Sequence, residues 1–83
     1  MASIKAIFKN EYSESRRWVI LDIGRDPNSP PVIFDGYLDS GSETGPLEIY
    51  SSDSIYGKTQ YQRSDGAPTI EDSITEGSVV RME

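Results

Sequence analysis

The chain has 83 residues, which is the size of one small domain with a single hydrophobic core. Cys and His are absent, and this excludes disulfides, thiolate nucleophiles, imidazole bases and the zinc sites built from those residues. The net charge of −6 disfavours a nucleic acid as partner. We therefore expect one domain over residues 1–83 that does not act as an enzyme.

The first predicted strand covers residues 3–10, in which Ile4, Ala6 and Phe8 alternate with other positions. Two lysines interrupt its apolar residues, so it predicts neither a signal peptide nor a membrane span, and the compartment stays open. Lysines on the outer face also indicate a strand at the rim of its sheet. The polar segment 11–15 has the length of a hairpin loop and predicts antiparallel pairing with the next strand.

The densest apolar run, residues 16–23, predicts a second strand and contains the only Trp. Its apolar side chains divide between two faces, with Val19, Leu21 and Ile23 on one and Trp18 and Ile20 on the other. Apolar residues on both faces are typical of a central strand. Gly24 and three prolines then predict a loop over residues 24–31.

Four further strands are predicted over residues 32–39, 47–50, 55–62 and 78–82. Gly36 in the middle of the first of these indicates a bulge or a close approach to the backbone. The segment 55–62 has few large apolar residues, so we expect it at the periphery, and Asp65 with Gly66 predicts a tight turn after it. Residues 69–77 fit either a strand or a short helix, and Thr69 as a cap slightly favours a helical turn near 70–76.

Six or seven short strands joined by turns predict an all-β fold, a small antiparallel β-sandwich with Greek-key-like connections. A small β-barrel is the alternative, because closure removes exposed sheet edges. The predicted core is Phe8, Val19, Leu21, Phe34, Leu38 and Ile49.

Acidic residues are concentrated after Arg25, where eleven stand against three basic residues. This predicts either a solvated acidic surface or a cation-binding edge. Calcium takes six to eight oxygen ligands and tolerates irregular loops, so the loop 39–46 together with Asp35 is a candidate site. The candidate calcium ligands are Asp35, Asp39, Ser42 and Glu43. No other cofactor is predicted.

Aromatic side chains are numerous for so small a chain, with five Tyr and one Trp. The candidate ligand-binding residues are Trp18, Tyr37, Tyr50 and Tyr56. Such side chains supply rigid contact area for sugars or proteins, although Tyr also commonly covers a sheet face for structural reasons.

Paired carboxylates, such as Asp35 with Asp22 or with Glu48, are poor candidates for acid and base catalysis, since a small sandwich offers little concavity to desolvate them. The sequence instead predicts a binding or interaction module whose ligand is a protein or a carbohydrate, with calcium as a candidate aid and with no membrane partner. The alternative is a structural or assembly subunit that pairs through a sheet edge and has no small-molecule site.

Overall fold

The computed structural model describes residues 3–83, and these form seven β-strands and no helix. The strands are β1 (Ser3–Asn10), β2 (Arg16–Leu21), β3 (Val32–Leu38), β4 (Leu47–Tyr50), β5 (Gly57–Arg63), β6 (Thr69–Ile74) and β7 (Val79–Met82). They build a three-stranded sheet in the order β4-β1-β7 and a four-stranded sheet in the order β3-β2-β5-β6.

All strand pairs are antiparallel except β1 with β7. The all-β prediction is confirmed, and two sheets that do not close into a barrel fit a small β-sandwich. The helical turn expected near 70–76 is wrong, because β6 occupies this segment and pairs with β5. No helix long and apolar enough to cross a membrane occurs among residues 3–83.

β1 is the central strand of the three-stranded sheet, since Ile4 lies opposite Ile49 of β4 and Phe8 lies beside Val80 of β7. The expected rim position is therefore wrong: the lysines of β1 alternate with its buried residues and lie on the outer face, which a central strand also has. The predicted hairpin between β1 and β2 is wrong as well. Residues 11–15 instead carry the chain from one sheet to the other.

β2 lies between β3 and β5, so its prediction as a central strand is confirmed. β5 lies between β2 and β6 and is not peripheral. The reason is a close approach of the two sheets: a Cβ atom on Gly57 would lie only 2.9 Å from Cγ2 of Ile49. Side chains of the other sheet fill the space beside β5, so this strand needs little apolar bulk of its own.

The core lies between the sheets, and its fully buried members include Phe8, Trp18, Ile20 and Ile49. The Trp18 ring packs against Tyr61, with ring centroids 6.1 Å apart. Burial of Trp18 together with Ile20 removes more apolar area from water than burial of Val19 with Leu21 on the opposite face of β2 would.

Of the predicted core residues, Phe8, Leu38 and Ile49 are confirmed. Val19 and Leu21 are wrong, because Trp18 and Ile20 of the same strand take the inward face. Phe34 is only partly buried and packs against the edge of the core.

Each outer strand of the four-stranded sheet contains a β-bulge. β3 has one extra residue opposite the step from Ile20 to Leu21, and β6 has one extra residue opposite residues 57–59. The bulge in β3 is therefore at Ile33 and not at Gly36, where the Phe34 ring makes the close approach. Bulges at sheet edges disturb the regular row of N–H and C=O groups and so oppose pairing with another sheet.

Candidate functional site

The four-stranded sheet has one face against the core and one face toward solvent. Strand register places Val32, Leu21, Gln60 and Ile70 side by side across all four strands. Two members of this row are well exposed, Val32 at 57% and Ile70 at 56%. Leu21 between them is half-buried.

Two further rows continue this surface along the sheet. Val19 lies between Asp35 of β3 and Gln62 of β5, and Arg17 lies opposite Tyr37, which is 77% exposed. We call this surface the open face and define it by Arg17, Val19, Leu21, Val32, Asp35, Tyr37, Gln60, Gln62 and Ile70.

The open face is more apolar than a solvated sheet face usually is. Antiparallel sheets with one solvated face typically alternate apolar residues inside with polar residues outside. Here four aliphatic side chains and a tyrosine lie on the outer side, where Val32, Ile70 and Tyr37 are more than half exposed and Val19 and Leu21 are half-buried. Apolar side chains exposed together on one sheet face in this way are typical of an interaction site.

One ion pair crosses the open face. Arg17 donates to Asp35 through Nε and Nη2, and both hydrogen bonds measure 2.7 Å. This hydrogen bonding lowers the pKa of the Asp35 carboxyl from its ordinary value and raises the pKa of the Arg17 guanidinium. The pair therefore stays charged at neutral pH beside the apolar rows.

The structure does not bring the candidate calcium ligands together. The carboxylates of Asp35, Asp39 and Glu43 do not form a cluster, and among residues 3–83 no group of three or more acidic side chains is placed to hold a metal ion. Asp35 is paired on the open face, whereas Asp39 accepts a hydrogen bond of 2.5 Å from Ser15 Oγ.

The loop 39–46 is not free to fold around a cation, because its backbone pairs with β1. Asn10 N–H donates to the carbonyl of Ser42, and Thr44 N–H donates to the carbonyl of Phe8, at 2.9 and 2.8 Å. Thr44 is buried, and Glu43 forms an isolated bridge with Lys9. This segment extends the three-stranded sheet beyond β4, and its polar composition reflects exposure along that edge.

The four predicted ligand-binding aromatics do not share a surface. Trp18 is wrong as a displayed residue, since it is fully buried in the core. Tyr37 lies on the open face, whereas Tyr56 lies in the loop after β4. Tyr50 is half-buried in β4, and the Arg25 guanidinium lies 5.8 Å from its ring centroid.

Sequence reasoning missed Val32 and Ile70 as surface residues. The signal that pointed to them was the apolar character of both faces of β2. Only one face of a strand can meet the second sheet, so the other must be covered by something else or remain exposed. The candidate carboxylate pair of Asp22 and Asp35 is also separated, because Asp22 is buried and Asp35 lies on the solvent face.

The loop after β4 is held by the carboxylate of Asp53. Hydrogen bonds from Tyr56 N–H, Ile55 N–H and the Ser51 hydroxyl lower the pKa of Asp53 from its ordinary value of 3.8. The pKa of Asp53 is lower in the folded than in the unfolded protein, so its ionised carboxylate stabilises the fold. This stabilisation is fully present above the unfolded pKa of about 4 and is lost as the pH falls through the folded pKa.

We therefore expect an NMR titration to place the midpoint of Asp53 below 3.8, and the melting temperature to fall as the solution is acidified below about pH 4. Asp53→Asn should flatten part of that fall, because the variant has no carboxyl to protonate. A midpoint at or above 3.8 would show that these hydrogen bonds do not form in solution.

The chain was compared with known proteins in three ways. No protein-family model, no curated protein and no solved structure matches it.

Proposed function

We propose that this domain is a non-enzymatic protein-binding module that binds its partner through the open face. The observation that carries the proposal is the row of Val32, Leu21, Gln60 and Ile70, which lies across the whole sheet and leaves more than half of Val32 and Ile70 exposed. Covering such side chains contributes about 25 cal/mol for each Å² removed from water, and a partner protein can supply the missing layer.

A protein is a better candidate than a carbohydrate. Sugar binding usually relies on aromatic rings that stack on the sugar, and Tyr37 is the one aromatic side chain that we assign to the open face. Aliphatic side chains together with glutamines and an ion pair resemble the mixture of apolar and polar contacts in protein interfaces. The Arg17–Asp35 pair lies within this surface, and its charges favour one orientation of the bound partner.

Assembly through a sheet edge is the second candidate function. The four-stranded sheet offers β3 and β6 as edges, and both contain a bulge. Because bulges oppose edge-to-edge pairing, this sheet favours binding by its face over binding by its edges.

The proposal is tested with two matched double variants. Val32→Lys with Ile70→Lys places two charges on the open face, and Ile55→Lys with Tyr56→Lys places two charges on side chains of similar exposure in the loop after β4. Wild type and both variants serve as immobilised baits in extract of the source cells. Partners retained by wild type are then purified, and their affinities are measured by calorimetry.

We expect the open-face variant to weaken binding by at least about tenfold, or about 1.4 kcal/mol, because each lysine must be desolvated in the interface. The loop variant should bind within about twofold of wild type. Equal affinity of the two variants, or a loss confined to the loop variant, would contradict the proposal. Circular dichroism of each bait checks that all three are folded.

A further inference from the structure

A groove separates β6 from β7, the last two strands of the chain. The two strands follow each other, but β6 belongs to the four-stranded sheet and β7 to the three-stranded sheet. Glu71, Ser73 and Ile74 line one wall and residues 78–81 line the other, enclosing a volume of about 350 Å³. The groove therefore opens where the edges of the two sheets diverge.

The backbone of β7 leaves one row of hydrogen-bonding groups directed away from β1. Ile7 N–H donates to the carbonyl of Ser78, and Glu11 N–H donates to the carbonyl of Met82. Because successive residues of a strand direct their N–H and C=O groups to opposite sides, those of Val79 and Arg81 point away from β1. β7 is an outer strand of its sheet, so no other strand within residues 3–83 meets them.

Acidic residues outnumber basic ones in the segments that form the groove, although its lining contains one of each, Glu71 and Arg81. The two strands, their connecting turn and the residue after β7 contain Glu71, Asp72, Glu76 and Glu83 but only one basic residue, Arg81. Burial, and after it the charge of Glu71, raises the pKa of the Tyr61 phenol, and Glu83 adds to this effect. Glu71 of β6 and Glu83, which follows β7, therefore both lie near the Tyr61 phenol.

From these observations we propose that the free edge of β7 binds an extended, basic segment of a partner protein by strand addition. N–H and C=O groups of the segment pair with those of Val79 and Arg81, and its basic side chains lie near acidic residues such as Glu71 and Glu83. β6 is the less suitable edge, since its bulge interrupts the backbone row. This site is separate from the open face and does not depend on it.

The alternation of side chains along a strand suits the two sides of this groove. A strand carries side chains alternately to its two faces, so a sequence that alternates basic with small apolar residues directs the apolar ones toward Ile74 and Val80. The basic ones then lie toward solvent and the acidic side chains. Electrostatic attraction of this kind weakens as salt increases.

The first test uses hydrogen exchange in the protein alone and with a peptide. The probe is a blocked seven-residue peptide that alternates lysine with valine, and an equivalent peptide with glutamate in place of lysine is the control. In the free protein we expect the amides of Val79 and Arg81 to exchange at least about tenfold faster than those of Val80 and Met82. Saturation with the lysine peptide should slow exchange at Val79 and Arg81 specifically.

The second test measures affinity with variants of opposite expected sign. Glu71→Gln with Asp72→Asn should weaken binding of the lysine peptide by about tenfold at low salt, and Arg81→Gln should strengthen it. Glu43→Gln with Glu48→Gln removes the same number of charges on the other side of β1, and it should stay within about twofold of wild type.

Three results would overturn the proposal. One is equal affinity for the lysine and glutamate peptides, and another is no binding of the lysine peptide at about 1 mM. The third is binding without slower exchange at Val79 and Arg81, which would place the peptide elsewhere. Because exchange is read at individual amides of the folded wild-type protein, a variant that fails to fold does not decide the test.

Discussion

Replacing Ile20 with Ala should lower the free energy of unfolding by about 2–5 kcal/mol, whereas replacing its neighbour Leu21 should cost about 1 kcal/mol or less. Ile20 is fully buried between the sheets, so truncation leaves a cavity that the close-packed core cannot fill. Leu21 is half-buried on the open face, where water takes the place of the lost methyl groups. Urea denaturation of the two variants measures the difference.

This comparison tests which face of β2 is inside. The total stability of a domain this small is expected near the lower end of the range of about 5–15 kcal/mol, so Ile20→Ala should leave a visible unfolded population. An equal cost for the two variants, or a larger cost for Leu21→Ala, would mean that the inward face has been assigned incorrectly.

Replacing Asp22 with Ala should be the second most damaging change considered, at about 1–3 kcal/mol. Asp22 is fully buried, and its Oδ2 accepts hydrogen bonds from Tyr50 N–H at 3.0 Å and from Arg25 Nε at 3.3 Å. Tyr50 belongs to β4, so this carboxylate links the two sheets. Removal would leave the Tyr50 N–H without its partner in the interior.

Asp22→Asn is the matched control, because an amide oxygen can still accept from Tyr50 N–H while the charge facing Arg25 is lost. We expect it to be clearly less destabilising than Asp22→Ala in the same urea titration. Equal losses for Asn and Ala would assign the effect to the charge and would contradict a main role for the hydrogen bond to Tyr50.

Much of the strand content follows from the sequence. Alternation places β1 at residues 3–10 and β4 at residues 47–50, with the bounds seen in the structure. These segments repeat with period two between clear turn signals, so local preference and tertiary structure agree. The apolar residues of 70–76 fit both a helical and a strand period, so the sequence does not distinguish the two. In the structure, Thr69 and Ile70 pair with β5, and the segment is a strand.

Sheet order could not be read locally. β1 pairs with β7, although the two strands lie at opposite ends of the chain, and this parallel pairing has no signature in either segment. Likewise, period two defines the two faces of β2 but does not say which face meets the other sheet. Trp18 is predicted as a ligand-binding aromatic, whereas the structure buries its side chain in the core.

The candidate site was predictable only in part. Tyr37 was identified as an outer-face aromatic, and it is exposed on the open face. Val32 and Ile70 could not be assigned to the site from sequence, because only the order and register of the four strands align them with Leu21. The composition of the polar loop 39–46 does not distinguish an ion-binding loop from an exposed sheet edge, because both are rich in oxygen atoms. Only the pairing of this loop with β1 separates the two.

Photo-crosslinking from Tyr37 tests the proposed binding surface most directly. A photo-crosslinking side chain is placed at Tyr37 on the open face or at Tyr56 in the loop after β4, and each protein is irradiated in extract of the source cells. We expect position 37 to give an adduct of defined mass. An excess of the wild-type domain should suppress this adduct, whereas the same excess of the Val32→Lys, Ile70→Lys variant should not. An adduct from position 56 alone, or equal suppression by both competitors, would contradict the account.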